Sequence, residues 1–438
     1  MDGKRDVEDG GAKPAAKSLE DELGLDSLTE RVGTQQRLLG RLRQLFAEGQ
    51  YRDMDLEPPP EDAWYNTWLY REFVWKRPRW LAVLLPIVVV WVSWTTAMTA
   101  LDEFHLFEDK YFMTITMLFA SMVAGATSEG ASAVAFPVMT LFFKIKPSVA
   151  RDMSLMTQSV GMNCAAFTIL YQKIRIEPNA LLFSSCGGAF GVVVGLQWVA
   201  PNLPPSESKL IFVSIWLGFA AALFCLNLIK DREVHLVIQN FNNWRAGVLM
   251  FFGFIGGVLT AIFGSGLDIC TFSVLTLLFR VSEKTATPTT VVLQAWNCTV
   301  GMLAKFILMD GMEQEAVDYF WVSASIVSIG APIGSFLSSF VHRIILGIFL
   351  YVADVVQFVA ALIIIPLNKP LVILVLGILT LSFGVFFGMT KMGDVLMRYE
   401  KKHYGRDQAS NMDDSGEYQS EEEKTKILKV QPLYSQSG

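Results

Sequence analysis

The chain has 438 residues, a formal charge of -6, 52% hydrophobic residues and only 18% charged residues, against about 25% charged in soluble domains. Of its 78 charged residues, 33 lie in the 313 residues from 80 to 392. The composition therefore predicts an all-α polytopic membrane protein surrounded by the lipid bilayer. It argues against a nucleic-acid partner, because no basic face is present to neutralise phosphates. The cysteines lack metal-site or disulfide spacing, so no metal and no cofactor is expected.

The two ends of the chain are predicted to be cytosolic. Residues 1–60 are acidic and partly disordered, with one amphipathic helix that begins at the capping box Ser27-x-x-Glu30. Its apolar stripe is shorter than a coiled coil requires, so packing on the membrane domain is the favoured interpretation. Residues 61–79 mix aromatic and basic side chains and predict an interfacial segment. Residues 393–438 are polar and acidic and predict a disordered tail.

Eight segments contain the roughly 20 mostly apolar residues that a spanning helix requires. They are residues 80–100, 152–171, 179–200, 210–229, 287–308, 316–340, 343–366 and 370–392.

Two longer apolar stretches, 112–143 and 245–279, are interrupted at residues 127–130 and 263–268 by small and acidic residues. Broken helices are tolerated at membrane depth where protein or a water-filled cavity satisfies the freed backbone groups. Each stretch either crosses once, giving ten spans, or turns back as a re-entrant hairpin, giving eight. Basic residues on both flanks and an acidic loop at 101–111 predict cytoplasmic termini under the positive-inside rule. Both termini on one side require an even number of spans, and ten and eight are both even.

The sequence also repeats itself. A shift of 136 residues places Phe136–Lys144 on Phe272–Arg280, Gly130 on Gly266 and Gln158 on Gln294. At a shift of 139 the Gly191/Gly195 pair falls on Gly330/Gly334, a spacing that lets membrane helices approach closely. We therefore predict two homologous repeats, at 112–229 and 245–366. An extra N-terminal span and loop at 80–111 precede them, and a final span at 370–392 follows.

Paired interruptions in corresponding halves point to the binding site of a secondary transporter. Helices that begin after a break direct positive N-terminal ends towards an anion. The predicted substrate-binding residues are Ser128, Gly130, Ser132, Gly264, Ser265, Gly266, Gln158, Gln294, Asn163 and Asn297.

Three acidic residues within apolar segments are predicted to couple transport to protons: Glu129, Asp268 and Asp354. A carboxylate at membrane depth is costly and usually serves an ion pathway. The alternatives are that Glu129 or Asp268 caps a helix or lies in an aqueous mouth, and that Asp354 hydrogen-bonds between helices. Lys305, near a helix end, is expected to snorkel to the interface.

The two broken regions read Ala124-Gly-Ala-Thr-Ser-Glu-Gly-Ala-Ser-Ala-Val-Ala-Phe-Pro137 and Gly256-Gly-Val-Leu-Thr-Ala-Ile-Phe-Gly-Ser-Gly-Leu-Asp268. With the basic turns that follow, this arrangement resembles the TauE/SafE family of sulfite-exporter-like permeases over about residues 112–392. The resemblance implies a small anionic substrate, sulfite or an organosulfonate.

The sequence thus predicts a secondary transporter of a small anion with proton coupling. A passive anion channel and a membrane scaffold without transport activity are the alternatives. An enzyme is not expected, because the histidines (His105, His235, His342 and His403) all lie in loops, tails or segment ends and supply no base at membrane depth.

Overall fold

The computed structural model describes residues 79–127, 129–228, 234–338 and 343–414. Within these ranges the regular elements are helical and only one isolated bridge pairs extended residues, His235 with Val281. The helices are α1 (Arg79–Leu101), α2 (Leu106–Ala126), α3 (Ser132–Pro137), α4 (Pro147–Tyr171), α5 (Pro178–Val194), α6 (Pro205–Leu228), α7 (Asn243–Phe263), α8 (Leu267–Ser273), α9 (Glu283–Leu308), α10 (Gln314–Ser338), α11 (Arg343–Ile364) and α12 (Lys369–Asp414).

Eight helices in the described part of the chain are long and apolar enough to cross a membrane: α1, α5, α6, α7, α9, α10, α11 and α12. The number agrees with the eight uninterrupted segments of the sequence, but two members differ. Helix α4, expected as a span at 152–171, is absent from this set because its buried face carries many polar residues. Helix α7, the first part of the stretch 245–279, is 21 residues long and qualifies by itself.

Both predicted interruptions are real breaks in the helices. The first separates α2 from α3, and α3 continues as a π-helical turn to Phe142; the second separates α7 from α8, which continues in the same way to Leu278. Gly130 and Gly264 adopt φ values of 67° and 84°, which glycine reaches without the steric cost of a Cβ atom. The helical stretches Ser132–Phe142 and Leu267–Leu278 are shorter than the about 20 residues of a span.

The first and last residues of each broken stretch lie side by side. Near the start of α2, the ring of Phe112 lies 4.4 Å from that of Phe143, which follows the first short helix. Near the start of α7, the Trp244 ring lies 5.9 Å from that of Phe279, which follows the second. The two ends of each broken stretch are therefore close together in the structure.

The two broken stretches begin at opposite ends of the bundle. Arg280, at the end of the second stretch, directly precedes α9, whose 26 residues extend about 39 Å at 1.5 Å per residue. Beyond the other end of α9, Asp318 near the start of α10 forms an ion pair with Lys110 near the start of α2. The first stretch thus begins where α9 ends, and the second where α9 begins.

Glycines allow helices from the two halves of the chain to pack closely together. A Cβ atom on Gly191 would collide with the backbone of Phe254, so α5 packs closely on α7. A Cβ atom on Gly334 would collide with the backbone of Met122, so α10 packs closely on α2. The companions of these glycines, Gly195 and Gly330, are also in close contact with the neighbouring helix. The prediction that these four glycines lie at helix crossings is confirmed.

The last helix is longer than the sequence suggested. Residues 370–392 were predicted as the final span and 393–438 as disordered, but α12 continues to Asp414. Packing accounts for its first extra turns: a Cβ atom on Gly393 would collide with the carbonyl of Leu277, and Asp394 pairs with Arg280. The predictions for 1–78, which include the amphipathic helix and nearly all of the interfacial segment, lie outside the described residues. So does the tail prediction from 415 onwards.

Glu177 fixes the loop that leads into α7. Its carboxylate is buried and accepts hydrogen bonds from the backbone N–H of Ile238 at 2.9 Å and of Asn179 at 3.3 Å. Burial raises the pKa of Glu177 above its usual value, and the hydrogen bonds from Ile238 and Asn179 partly oppose this rise. The carboxylate therefore connects the start of α5 to the segment before α7.

We expect Glu177→Ala to lower the free energy of unfolding by about 1–3 kcal/mol, because buried N–H groups lose their acceptor. Since the folded-state pKa is raised, the stabilisation from Glu177 is present at acidic pH and is lost as the pH rises through the folded-state pKa. The loss of stability in Glu177→Ala relative to wild type should therefore become smaller as the pH rises. Thermal unfolding of the purified protein across pH measures this. Glu108→Ala, on an exposed carboxylate of α2, should leave the melting temperature unchanged, and an equal loss in both variants would contradict the assignment.

Candidate functional site

The two breaks are in direct contact. The Ser265 Oγ atom lies 3.2 Å from the carbonyl oxygen of Glu129, and these two positions are 136 residues apart, the shift of the predicted repeat. A Cβ atom on Gly130 would collide with the side chains of Ser265 and Asp268. The predicted residues Gly130, Ser265 and Gly266 therefore lie together, and the position of Ser128 lies outside the described residues.

Two glutamines that the predicted repeat aligns, Gln158 and Gln294, converge on the second break. The side-chain amide of Gln158 donates to the Gly264 carbonyl at 2.7 Å, and that of Gln294 does so at 3.3 Å. Gln158 also donates to Ser132 Oγ at 3.0 Å and accepts from Ala131 N at 3.2 Å. The amide of Gln158 on α4 therefore binds both breaks, and that of Gln294 on α9 binds the second.

The acids of the two breaks have different surroundings. Asp268 accepts from the Ser265 hydroxyl at 2.7 Å and from the backbone N–H of Ile269 at 3.0 Å, so it fits the capping alternative as well as a coupling role. Glu129 is 1% exposed, and neither of its carboxylate oxygens has a hydrogen-bond partner among the described residues. A purely structural role therefore explains the burial of Asp268 better than that of Glu129.

Asp354, on α11, is the third predicted acid. It is 2% exposed, and both of its carboxylate oxygens also lack hydrogen-bond partners among the described residues. Asp354 and Asp268 are both close enough to Glu129 to repel its negative charge. Two further acids, one on α8 and one on α11, therefore lie near enough to influence the charge of Glu129.

Further buried polar atoms near the breaks have no partner in the described part of the chain. They are Ser154 Oγ, Thr271 Oγ1, Gln294 Oε1 and both amide atoms of Asn297. Buried polar groups in proteins are normally hydrogen-bonded, and each one left unpaired costs about 1–3 kcal/mol. A concentration of such groups is typical of a place that receives water, an ion or a substrate.

One predicted site residue is not brought to the breaks. Asn163 is exposed and donates to Thr299 Oγ1 at 2.8 Å and to the Ser159 carbonyl at 2.5 Å. It joins α4 to α9 through a hydrogen bond between the helices, as polar side chains often do in membrane proteins.

A buried charge cluster was missed by the sequence reasoning. Lys305 was expected to snorkel, but its Nζ lies 3.1 Å from Asp152 Oδ2, while Arg151 Nη2 lies 2.7 Å from Asp152 Oδ1. Asp152 is fully buried and also accepts from the backbone N–H of Glu313 at 3.3 Å. The adjacent charges Arg151 and Asp152 at the edge of an apolar run were the available signal. Their partner on α9 is too distant in sequence to be recognised.

The family model described as sulfite exporter TauE/SafE matches residues 113–360. This is more than half of the chain, and it covers both breaks together with the glutamines that bind them. The chain belongs to the TauE/SafE family. Membership confirms the resemblance seen in the sequence. No significant match to this TauE/SafE protein was found among curated proteins or among solved structures.

TauE/SafE membership and the eight apolar helices identify an integral, multi-pass membrane protein. The family is one of membrane permeases for sulfur anions. The buried contact between the breaks lies within the matched region and is the candidate transport site.

Proposed function

We propose that this TauE/SafE protein is a secondary transporter that moves a small sulfur oxyanion, sulfite or an organosulfonate, through the position where the two breaks meet. The observation that carries the proposal is the contact of Ser265 with Glu129, surrounded by buried polar atoms without partners in the described residues. A substrate with several hydrogen-bond acceptors would pair with the amide and hydroxyl donors there.

The two halves are best explained as homologous repeats of opposite orientation. Each has a long helix, a break, a short helix ending in a π-helical turn, and a long helix that carries the glutamine. The contacts of Phe112 with Phe143 and of Trp244 with Phe279 favour broken stretches that turn back, one from each end of the bundle. Inverted repeats with a site at their interface are typical of secondary transporters. This arrangement favours eight crossings, made by α1, α4, α5, α6 and the four helices α9 to α12. An even number leaves both termini on one side, which the basic flanking residues favour as the cytoplasmic side.

The acids of the site imply coupling to protons. An oxyanion would be repelled by Glu129, Asp268 and Asp354 if all three were ionised, since like charges repel strongly away from water. At least one of them must hold a proton while the anion is bound. Proton and anion would then travel together in the same direction.

Transport in proteoliposomes tests the proposal. Uptake of sulfite, sulfate, thiosulfate and taurine should be compared with and without an inward proton gradient, using empty liposomes as the control. We expect at least one sulfur anion to accumulate against its own gradient when the outside is acidic. Downhill flux alone, unaffected by the proton gradient, would favour the passive channel. If correctly folded protein moves none of the four, the scaffold alternative replaces the proposal.

A further inference from the structure

Helix α4 carries a polar face that leads away from the second break. Arg151, Ser154 and Gln158 are spaced three and four residues apart, so they share one side of the helix. Gln158 binds the Gly264 carbonyl, and a Cβ atom on Gly264 would lie against Ser154 and the carbonyl of Arg151. The face therefore runs from the break to the charge cluster.

Helix α9 supplies the opposite wall. Gln294, Cys298, Gly301 and Lys305 recur at intervals of four, three and four residues, which also places them on one side. Gln294 lies at the break and Lys305 lies beside Asp152 on α4. The two helices run antiparallel and together connect the contact between the breaks to the cluster of Arg151, Asp152 and Lys305.

The donors in this cluster are those that bind oxyanions. Arg151 contacts Asp152 Oδ1 through Nε at 2.8 Å and Nη2 at 2.7 Å. Lys305 Nζ and the backbone N–H of Glu313 contact Asp152 Oδ2 at 3.1 and 3.3 Å. A guanidinium group with a nearby ammonium group is a common receptor for carboxylates and phosphates. Two cations face one carboxylate, which leaves the cluster with a net charge of +1.

Ser154 lies on the same face of α4, between Gln158 and Arg151. Ser154 is 1% exposed, and its hydroxyl has no hydrogen-bond partner among the described residues. It is one turn closer to the break than Arg151. An oxyanion moving between the two positions would meet this hydroxyl on its way.

We infer that Arg151 and Lys305 form a second oxyanion-binding subsite, in which the Asp152 carboxylate holds the place of the anion until a substrate displaces it. This inference rests on the proposed transport of sulfur oxyanions. Because Asp152 is attached to α4 next to Arg151, it competes at a high effective concentration. Such competition keeps anion binding weak enough for release, which conduction through a chain of sites requires.

The test removes the competitor and the cations separately. Asp152→Asn keeps the side-chain shape but removes the negative charge, and we expect it to bind sulfite about tenfold more tightly, as expected for losing one competing charged interaction. Lys305→Gln should weaken sulfite binding by about tenfold for the same reason. Lys305→Arg retains the charge and should restore most of the affinity. Lys369→Gln, on an exposed lysine, is the matched control and should bind like wild type.

Binding is measured as the sulfite-dependent shift in thermal unfolding of the purified full-length protein in detergent, with initial uptake rates from proteoliposomes as the second readout. If folded Asp152→Asn binds no more tightly and folded Lys305→Gln no more weakly, the cluster only joins α4 to α9 and the subsite is refuted. Should Asp152→Asn fail to fold, the difference between Lys305→Gln and Lys305→Arg decides the question. Wild-type uptake separates the two ideas: transport with unaffected variants refutes the subsite alone, whereas absence of wild-type transport refutes the proposed function.

Discussion

Glu129→Gln should abolish pH-driven accumulation of the anion while leaving anion exchange intact. The amide imitates the protonated acid, so the site can still receive an anion but can no longer release a proton. For one proton per anion, each unit of pH gradient supports about tenfold accumulation, since one pH unit corresponds to about 1.4 kcal/mol. The variant should show no accumulation under the same gradient. Uptake driven by a pH gradient and counterflow without a gradient measure the two properties.

The control is Glu108→Gln, which makes the same change at an exposed position of α2 and should accumulate substrate like wild type. Asp268→Asn is expected to impair coupling in the same way, but its hydrogen bonds with Ser265 and Ile269 also make it a helix cap, so a lower melting temperature should accompany the defect. Asp354→Asn tests the third acid. If Glu129→Gln and Asp268→Asn both accumulate substrate normally, these acids are structural and proton coupling through them is wrong.

Gly334→Leu should prevent correct assembly of the helical bundle. Even a Cβ atom at this position would collide with the backbone of Met122, and backbone cannot move aside as the end of a flexible side chain can. The cost should exceed the about 1–3 kcal/mol that is usual for overpacking. Gly195→Leu, which would collide with Ala261 and Val258, should have a similar effect. Size-exclusion profiles and thermal unfolding in detergent measure the loss of monodisperse protein.

Gly377→Leu provides the matched control, because nothing lies within 4 Å of a Cβ atom there. This variant should assemble normally, and replacing a helical glycine favours the helix by up to about 1 kcal/mol. Normal assembly of both Gly334→Leu and Gly195→Leu would show that α2 and α10, and α5 and α7, are not packed as described.

Part of the fold was predictable because hydrophobic length and interruptions are local properties. The runs of apolar residues identified the long helices, and small residues such as Gly130 and Gly264 correctly marked the breaks. The sequence also singled out Gln158 and Gln294 as site residues, and both bind the Gly264 carbonyl. The length of helix α12 was underestimated, because its continuation beyond residue 392 involves packing of Gly393 and Asp394 against residues 277–280, which are distant in sequence.

The sequence by itself determined that the chain is a helical membrane protein with two broken stretches. A helix in lipid requires a long run of apolar residues, so the few polar and charged residues that interrupt such a run are easily recognised. Only the tertiary structure decided which polar groups meet. Asp152 and Lys305 are separated by 153 positions in the sequence, yet they form a buried ion pair, while Asn163 points away from the breaks towards Thr299. Periodicity gives the face of a helix on which a side chain lies, but the partner of that face is set by the packing of whole helices. Interactions between distant segments therefore became visible only when the two halves were seen packed together.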